Sequence, residues 1–140
     1  MKLENPSTLP QSVKDALFKV WKGTFPKNLD DICYTYGDAC YTNNPLSRDL
    51  VKHEEVHSKQ QAREGMTPDL WWQNYGDSEE FRYEQEVEAY NVQYNYLKAS
   101  VGERKAFSAV KIMAKDLSSE MYGLSVSYEK ALHDILKYCK

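Results

Sequence analysis

The chain has 140 residues, a formal charge of -3, and 41% hydrophobic and 28% charged residues. That length supports one core and a single domain over 1–140, and it excludes two domains of ordinary size. A weakly acidic chain with no dense stretch of Lys or Arg excludes the electrostatic grip on a phosphate backbone that nucleic-acid binding requires.

Met1 to Pro6 are not followed by an apolar run with a small-residue cleavage site. No segment approaches the roughly 18 apolar residues of a membrane span, so a cytoplasmic protein without membrane contact is expected. The 11 tyrosines and 3 tryptophans give the core unusual aromatic weight.

In chain order, Val13, Leu17, Val20 and Trp21 recur at helical spacing between Pro10 and Gly23, which predicts a first helix ended by that glycine. Ile32 to Tyr41 is rich in aromatic and β-favouring residues on both sides of Gly37-Asp38, and reads as a short β-hairpin. Cys33, Cys40 and Cys139 match neither a zinc ribbon nor a disulfide framework. The expectation is three reduced thiols, with a Cys33–Cys40 bridge if the protein meets an oxidising compartment.

Asn44-Pro45 supplies an N-cap and a first-turn proline, predicting a helix from about Pro45 to Glu64 that Gly65 stops. Thr67-Pro68 starts a short helix carrying Leu70, Trp71 and Trp72. Asp77 or Ser78 caps the next, with Glu80 completing a capping box after Asp77, and Phe81, Val87, Tyr90, Tyr94 and Leu97 form its apolar stripe. Ser100 and Glu103 form a second box before a helix with Phe107, Val110, Met113, Ala114 and Leu117. Gly123 to Ser127 break the pattern, and a last helix from near Ser127 carries Ala131, Leu132, Ile135, Leu136 and Cys139. The expected fold is mainly α (α+β), a compact helical domain with one small β-hairpin ahead of its second helix.

That second helix contains His53-Glu54-Glu55-Val56-His57, an HExxH sequence holding two of the three histidines. Residues four apart share a helix face, so both imidazoles can address one metal ion with Glu54 beside it. A hydrolytic zinc site takes three protein ligands and keeps a fourth position open, so a further ligand must come from elsewhere. His133, flanked by Leu132 and Ile135, reads as an ordinary helix histidine. The carboxylates of Glu84, Glu86 and Glu88 are better placed. Glu84 and Glu88 share one face and Glu86 lies to the side, and periodicity does not choose among them. As plain surface residues they would instead be a solvated face paired with Arg82 and Lys98.

The HExxH helix followed by a helix reading Glu86-Val87-Glu88-Ala89-Tyr90 resembles the gluzincin metallopeptidases, whose second helix bears a glutamate in an E-x-x-A pattern. More narrowly, the run His53 to Gln61, Trp71-Trp72, Phe81-Arg82 and Gln85 to Tyr90 is similar to small phage and prophage proteins described as metallopeptidases. The resemblance spans roughly residues 30 to 97. It implies a minimal zincin-like core, Zn2+ as cofactor, and Glu86 as third ligand beside His53 and His57. It also implies a peptide or protein substrate, and a host cytoplasm or virion as location if the protein is phage-encoded. Where many gluzincins have an aspartate four residues after the ligand glutamate, this chain has Tyr90.

On this reading Glu54 is the general base that takes a proton from a zinc-activated water and delivers it to the leaving amine. The hairpin edge would hold an extended peptide by backbone hydrogen bonds, or merely cap the core with its tyrosines. Tyr122 is a candidate oxyanion stabiliser set against ordinary packing, and Trp71 and Trp72 read as core and pocket wall. The alternative is a non-catalytic helical module for phage assembly or host interaction, with a structural or degenerate metal site.

Overall fold

The computed structural model describes residues 1–23 and 32–138. It is mainly helical, with a small three-stranded sheet at the N-terminal end. The expected hairpin forms from β2 (Tyr34–Tyr36) and β3 (Ala39–Tyr41), turning at Gly37-Asp38, where Gly37 has a φ of 62° that favours glycine. A third strand, β1 (Lys2–Glu4), is an addition to the expected pair. It pairs parallel with β3, giving the order β1-β3-β2. Three exposed residues reading Lys-Leu-Glu carry no strand signal, because the pairing is long-range.

Among the described residues, six α-helices follow the expected succession with shifted ends. Helix α1 (Gln11–Val20) buries Val13, Ala16, Leu17 and Val20. Helix α2 (Arg48–Gln61) begins three residues after Pro45, with Ser47 at its N-cap, and ends before Gly65. The Asn44-Pro45 signal is not used as a cap; it lies ahead of the helix, where the Asn44 N–H donates to the Thr42 hydroxyl in a local turn. Thr67 caps α3 (Pro68–Asp77) by accepting from the Leu70 N–H. Ser78, not Asp77, caps α4 (Glu79–Val101) by accepting from the Phe81 N–H.

The expected box at Ser100 and Glu103 does not form. Helix α4 runs through Ser100, whose hydroxyl donates back to the Tyr96 carbonyl, and Gly102 at φ 93° makes the break before α5 (Glu103–Leu117). Phe107, expected in the buried stripe of α5, is 41% exposed. Helix α6 (Tyr128–Lys137) begins next to Ser127, as expected, and Ser127 caps it by accepting from the Lys130 N–H. Cys139 lies outside the described residues. Cys33 and Cys40 are joined by a disulfide, with Cα atoms 6.2 Å apart, instead of being free thiols.

Two apolar cores flank a polar seam. The first joins α1, β2 and α3 through Val13, Leu17, Val20, Tyr34, Trp71, Trp72 and Tyr75. The second joins α4, α5 and α6 through Val87, Tyr90, Val110, Met113, Leu117, Ala131 and Ile135. Between them α2 packs along α4, and its buried residues are His53, Glu54, Val56, His57, Gln60 and Gln61, five of the six polar. Burying that much polarity costs free energy unless every group is partnered. Among the described residues, no buried side-chain nitrogen or oxygen lacks a hydrogen-bond partner.

Candidate metal centre

His53 and His57 stand one turn apart on the face of α2 that meets α4, and Glu86 faces them from α4. Their facing atoms form a nearly equilateral triangle. Glu86 Oε1 lies 3.2 Å from His53 Nε2 and 3.1 Å from His57 Nε2, and the two Nε2 atoms are 3.2 Å apart. Ligands at about 2.0–2.1 Å from a tetrahedral centre stand about 3.3 Å from one another, so these separations fit a small divalent cation within a few tenths of an ångström. All three residues are buried, and together they are a group that can hold a metal ion.

The chemistry of the donor set points the same way. Two imidazole nitrogens and a carboxylate oxygen converging in a buried space repel through their lone pairs unless a proton or cation lies among them. Burial opposes charge on His57, yet the Glu86 carboxylate beside it outweighs that and raises its pKa from 6.5 to about 9. Burial alone would raise the Glu86 carboxyl, but the adjoining histidines hold it well below the usual carboxylate range. Its second oxygen accepts a 2.6 Å hydrogen bond from the Tyr75 hydroxyl, which anchors the carboxylate from α3.

The structure separates the three glutamates that spacing left open. Glu86 joins the histidines, Glu84 is exposed, and Glu88 is turned to Arg63, whose Nη2 lies 2.8 Å from both carboxylate oxygens. Arg82, suggested as a surface partner of these glutamates, is buried and donates to the backbone carbonyls of Tyr75, Tyr122 and Gly123. His133 is well exposed on α6, away from the group, with Nδ1 3.3 Å from Asp134.

Glu54 is 7% exposed and lines the same cavity of about 60 Å³ as His53, His57 and Glu86. Its Oε2 accepts from the Thr35 hydroxyl of β2 at 2.7 Å, which fixes the carboxylate at the cavity wall. Tyr122 also lines this cavity, as do Trp71 and Trp72. Arg82 holds the backbone that carries Tyr122, and the Tyr122 and Tyr90 hydroxyls are 2.6 Å apart. Tyr90 sets its ring edge-on to His53, with centroids 4.5 Å apart, and its hydroxyl is engaged by Tyr122.

On β2 the Thr35 carbonyl accepts from Gln61 Nε2 at 2.9 Å and from Trp72 Nε1 at 2.8 Å, so side chains of α2 and α3 engage that carbonyl.

Sequence reasoning missed the residues behind the histidines. Gln93 Oε1 lies 3.0 Å from His53 Nδ1, and Gln60 Oε1 lies 2.9 Å from His57 Nδ1. Gln60 is at i+3 from His57, a neighbouring helix position that could have been read. Gln93 comes from another helix and carries no local signal.

Fold and site together define a mainly helical protein with a buried two-histidine, one-carboxylate group suited to a metal ion. Compared with known proteins, the chain matches no family model, no curated protein and no solved structure.

Proposed function

We propose that the protein is a zinc-dependent hydrolase of peptide or amide bonds, with His53, His57 and Glu86 as ligands and Glu54 as general base. The observation that carries this is the 3.1–3.2 Å triangle of the three donor atoms, with a buried carboxylate on the same cavity wall. A set of two nitrogens and one oxygen is characteristic of catalytic zinc, which keeps a fourth position for water or substrate. Bound zinc would supply Lewis acidity, acidifying a water and polarising a carbonyl.

The chain's own residues supply the rest. Glu54, oriented by Thr35, accepts the proton that the attacking water loses as the new C–O bond forms, then returns it to the amide nitrogen, so that the C–N bond breaks and the amine departs. Tyr75 keeps Glu86 turned toward the histidines. The Tyr122 hydroxyl, at the cavity wall, is the candidate donor to the carbonyl oxygen as negative charge develops on it.

The test is zinc content together with hydrolysis of a mixed peptide substrate. Wild type is expected to hold one zinc per chain and His53→Ala to lose it. Glu54→Gln should retain the metal while turnover falls about 10²- to 10⁴-fold. A chain that cannot take up zinc sinks the proposal.

One observation favours a second reading, a metal that serves the fold without catalysis. The cavity of about 60 Å³ is small beside the roughly 300–1,000 Å³ of ordinary small-molecule sites. On that reading wild type and Glu54→Gln both hold zinc and neither hydrolyses peptide.

A further inference from the structure

The two imidazoles are gripped from behind by a matched pair of amides, whose role rests on the proposed reading of the His53–His57–Glu86 group as a metal centre. A glutamine side-chain oxygen can only accept. With Oε1 of Gln93 at 3.0 Å from His53 Nδ1 and Oε1 of Gln60 at 2.9 Å from His57 Nδ1, the ring proton belongs on Nδ1 in both residues. Each Nε2 then faces the space shared with Glu86, where its lone pair can take an ion in place of a proton.

An amide could in principle be turned end for end, presenting its NH2 group to the ring. Here neither can, because each NH2 group is already committed to acceptors. Gln93 Nε2 donates to Asp49 Oδ2 at 2.8 Å. Gln60 Nε2 donates to the Gln85 carbonyl at 3.0 Å and to Glu88 Oε1 at 2.8 Å. Carboxylates and carbonyls cannot donate, so reversing either amide would set oxygen against oxygen. Both glutamines are buried, at 1% exposure for Gln60 and 5% for Gln93, where such a clash would not be relieved by water.

Two relays therefore run outward from the ligands. One passes from His53 through Gln93 to Asp49, and the other from His57 through Gln60 to Glu88 and its partner Arg63. We infer that Gln60 and Gln93 are positioning residues of the metal centre, holding both histidines as Nδ1–H tautomers with Nε2 presented to the ion. Partners of this kind orient metal-binding imidazoles, and losing one typically costs 10- to 100-fold in metal affinity.

The competing account is that the glutamines only fill space between α2 and α4. The two are separated by zinc affinity of the full chain, measured in competition with a chromophoric chelator. Gln93→Leu and Gln60→Leu fill similar volume without an acceptor, and each is expected to weaken zinc binding about 10- to 100-fold. Gln93→Glu combined with Asp49→Asn keeps an acceptor toward His53 and a donor behind it, and is expected to bind zinc at least as tightly as wild type. Wild-type affinity in both leucine variants, or a double variant as weak as Gln93→Leu, overturns the inference.

Nitrogen-15 spectra of the histidines in the metal-free chain give a readout that does not depend on zinc uptake. Slowly exchanging Nδ1–H signals are expected for His53 and His57, each lost in its own leucine variant. If the chain takes no zinc, the metal reading falls while these spectra still decide the tautomers. Signals that are absent, or unmoved by the substitutions, overturn the inference in either case.

Discussion

At the scale of single residues, the position beside His57 that a metal ion would take is one where Glu86 favours a proton. Its pKa is raised from 6.5 to about 9 because Glu86 stabilises the charged ring more than burial disfavours it. A raised pKa contributes stability to the metal-free fold that is fully present below about 6.5 and is lost as the pH climbs through about 9. The depressed Glu86 carboxyl describes the same ion pair from its other side, and the two are counted once. Chemical denaturation of the metal-free chain should therefore show stability falling by on the order of 3 kcal/mol between pH 6.5 and 9. Zinc affinity should move oppositely, rising about tenfold per pH unit over that window as one proton is displaced and levelling above it. Calorimetry in buffers of different ionisation enthalpy would count that proton directly.

Among the elements, α1 and α3 approach closely enough that a side chain cannot be added between them. A Cβ on Gly76 would lie 2.8 Å from Ala16 Cα and 3.1 Å from its Cβ, so Gly76 serves the contact between helices and no turn. Gly76→Leu is expected to force them apart at a cost of about 1–3 kcal/mol, read as a lower urea midpoint with an unchanged slope. Because α3 also carries Tyr75 to Glu86, the same substitution should weaken zinc binding. Helix α2 shows why element boundaries are harder to read than element identities. Its buried face is histidine, glutamate and glutamine, so no apolar stripe marks where it starts or stops, and the proline signal three residues upstream displaces the expected cap.

For the molecule as a whole, the seam between two apolar cores is held by polar groups, and an ion there would tie α2 to α4. Ligand binding to the folded state alone stabilises it by about 2.7 kcal/mol at 100 times the Kd. Zinc at that excess should raise the melting temperature of the 140-residue chain by several degrees, and a chelator should reverse the gain. An unchanged melting curve at saturating zinc would mean that the ion does not bridge the helices. No helix among the described residues is long and apolar enough to cross a membrane.

Local sequence was enough to establish the helical class, the order of the elements from the hairpin to the last helix, and the placement of His53, Glu54 and His57 on one helix. Hydrophobic period, capping residues and i,i+4 geometry are properties readable over a few turns. The third donor was narrowed to one helix and, by resemblance, to Glu86. Which carboxylate reaches the histidines emerged only from packing, since neighbouring glutamates on α4 differ only in the direction they face. Packing likewise brought β1 into the sheet, turned Arg82 to carbonyls, and set Gln93 behind His53 from 40 residues away. Those contacts join groups distant in the chain and polar in character. No periodicity encodes them, and their energy is realised only when the seam closes and water is excluded.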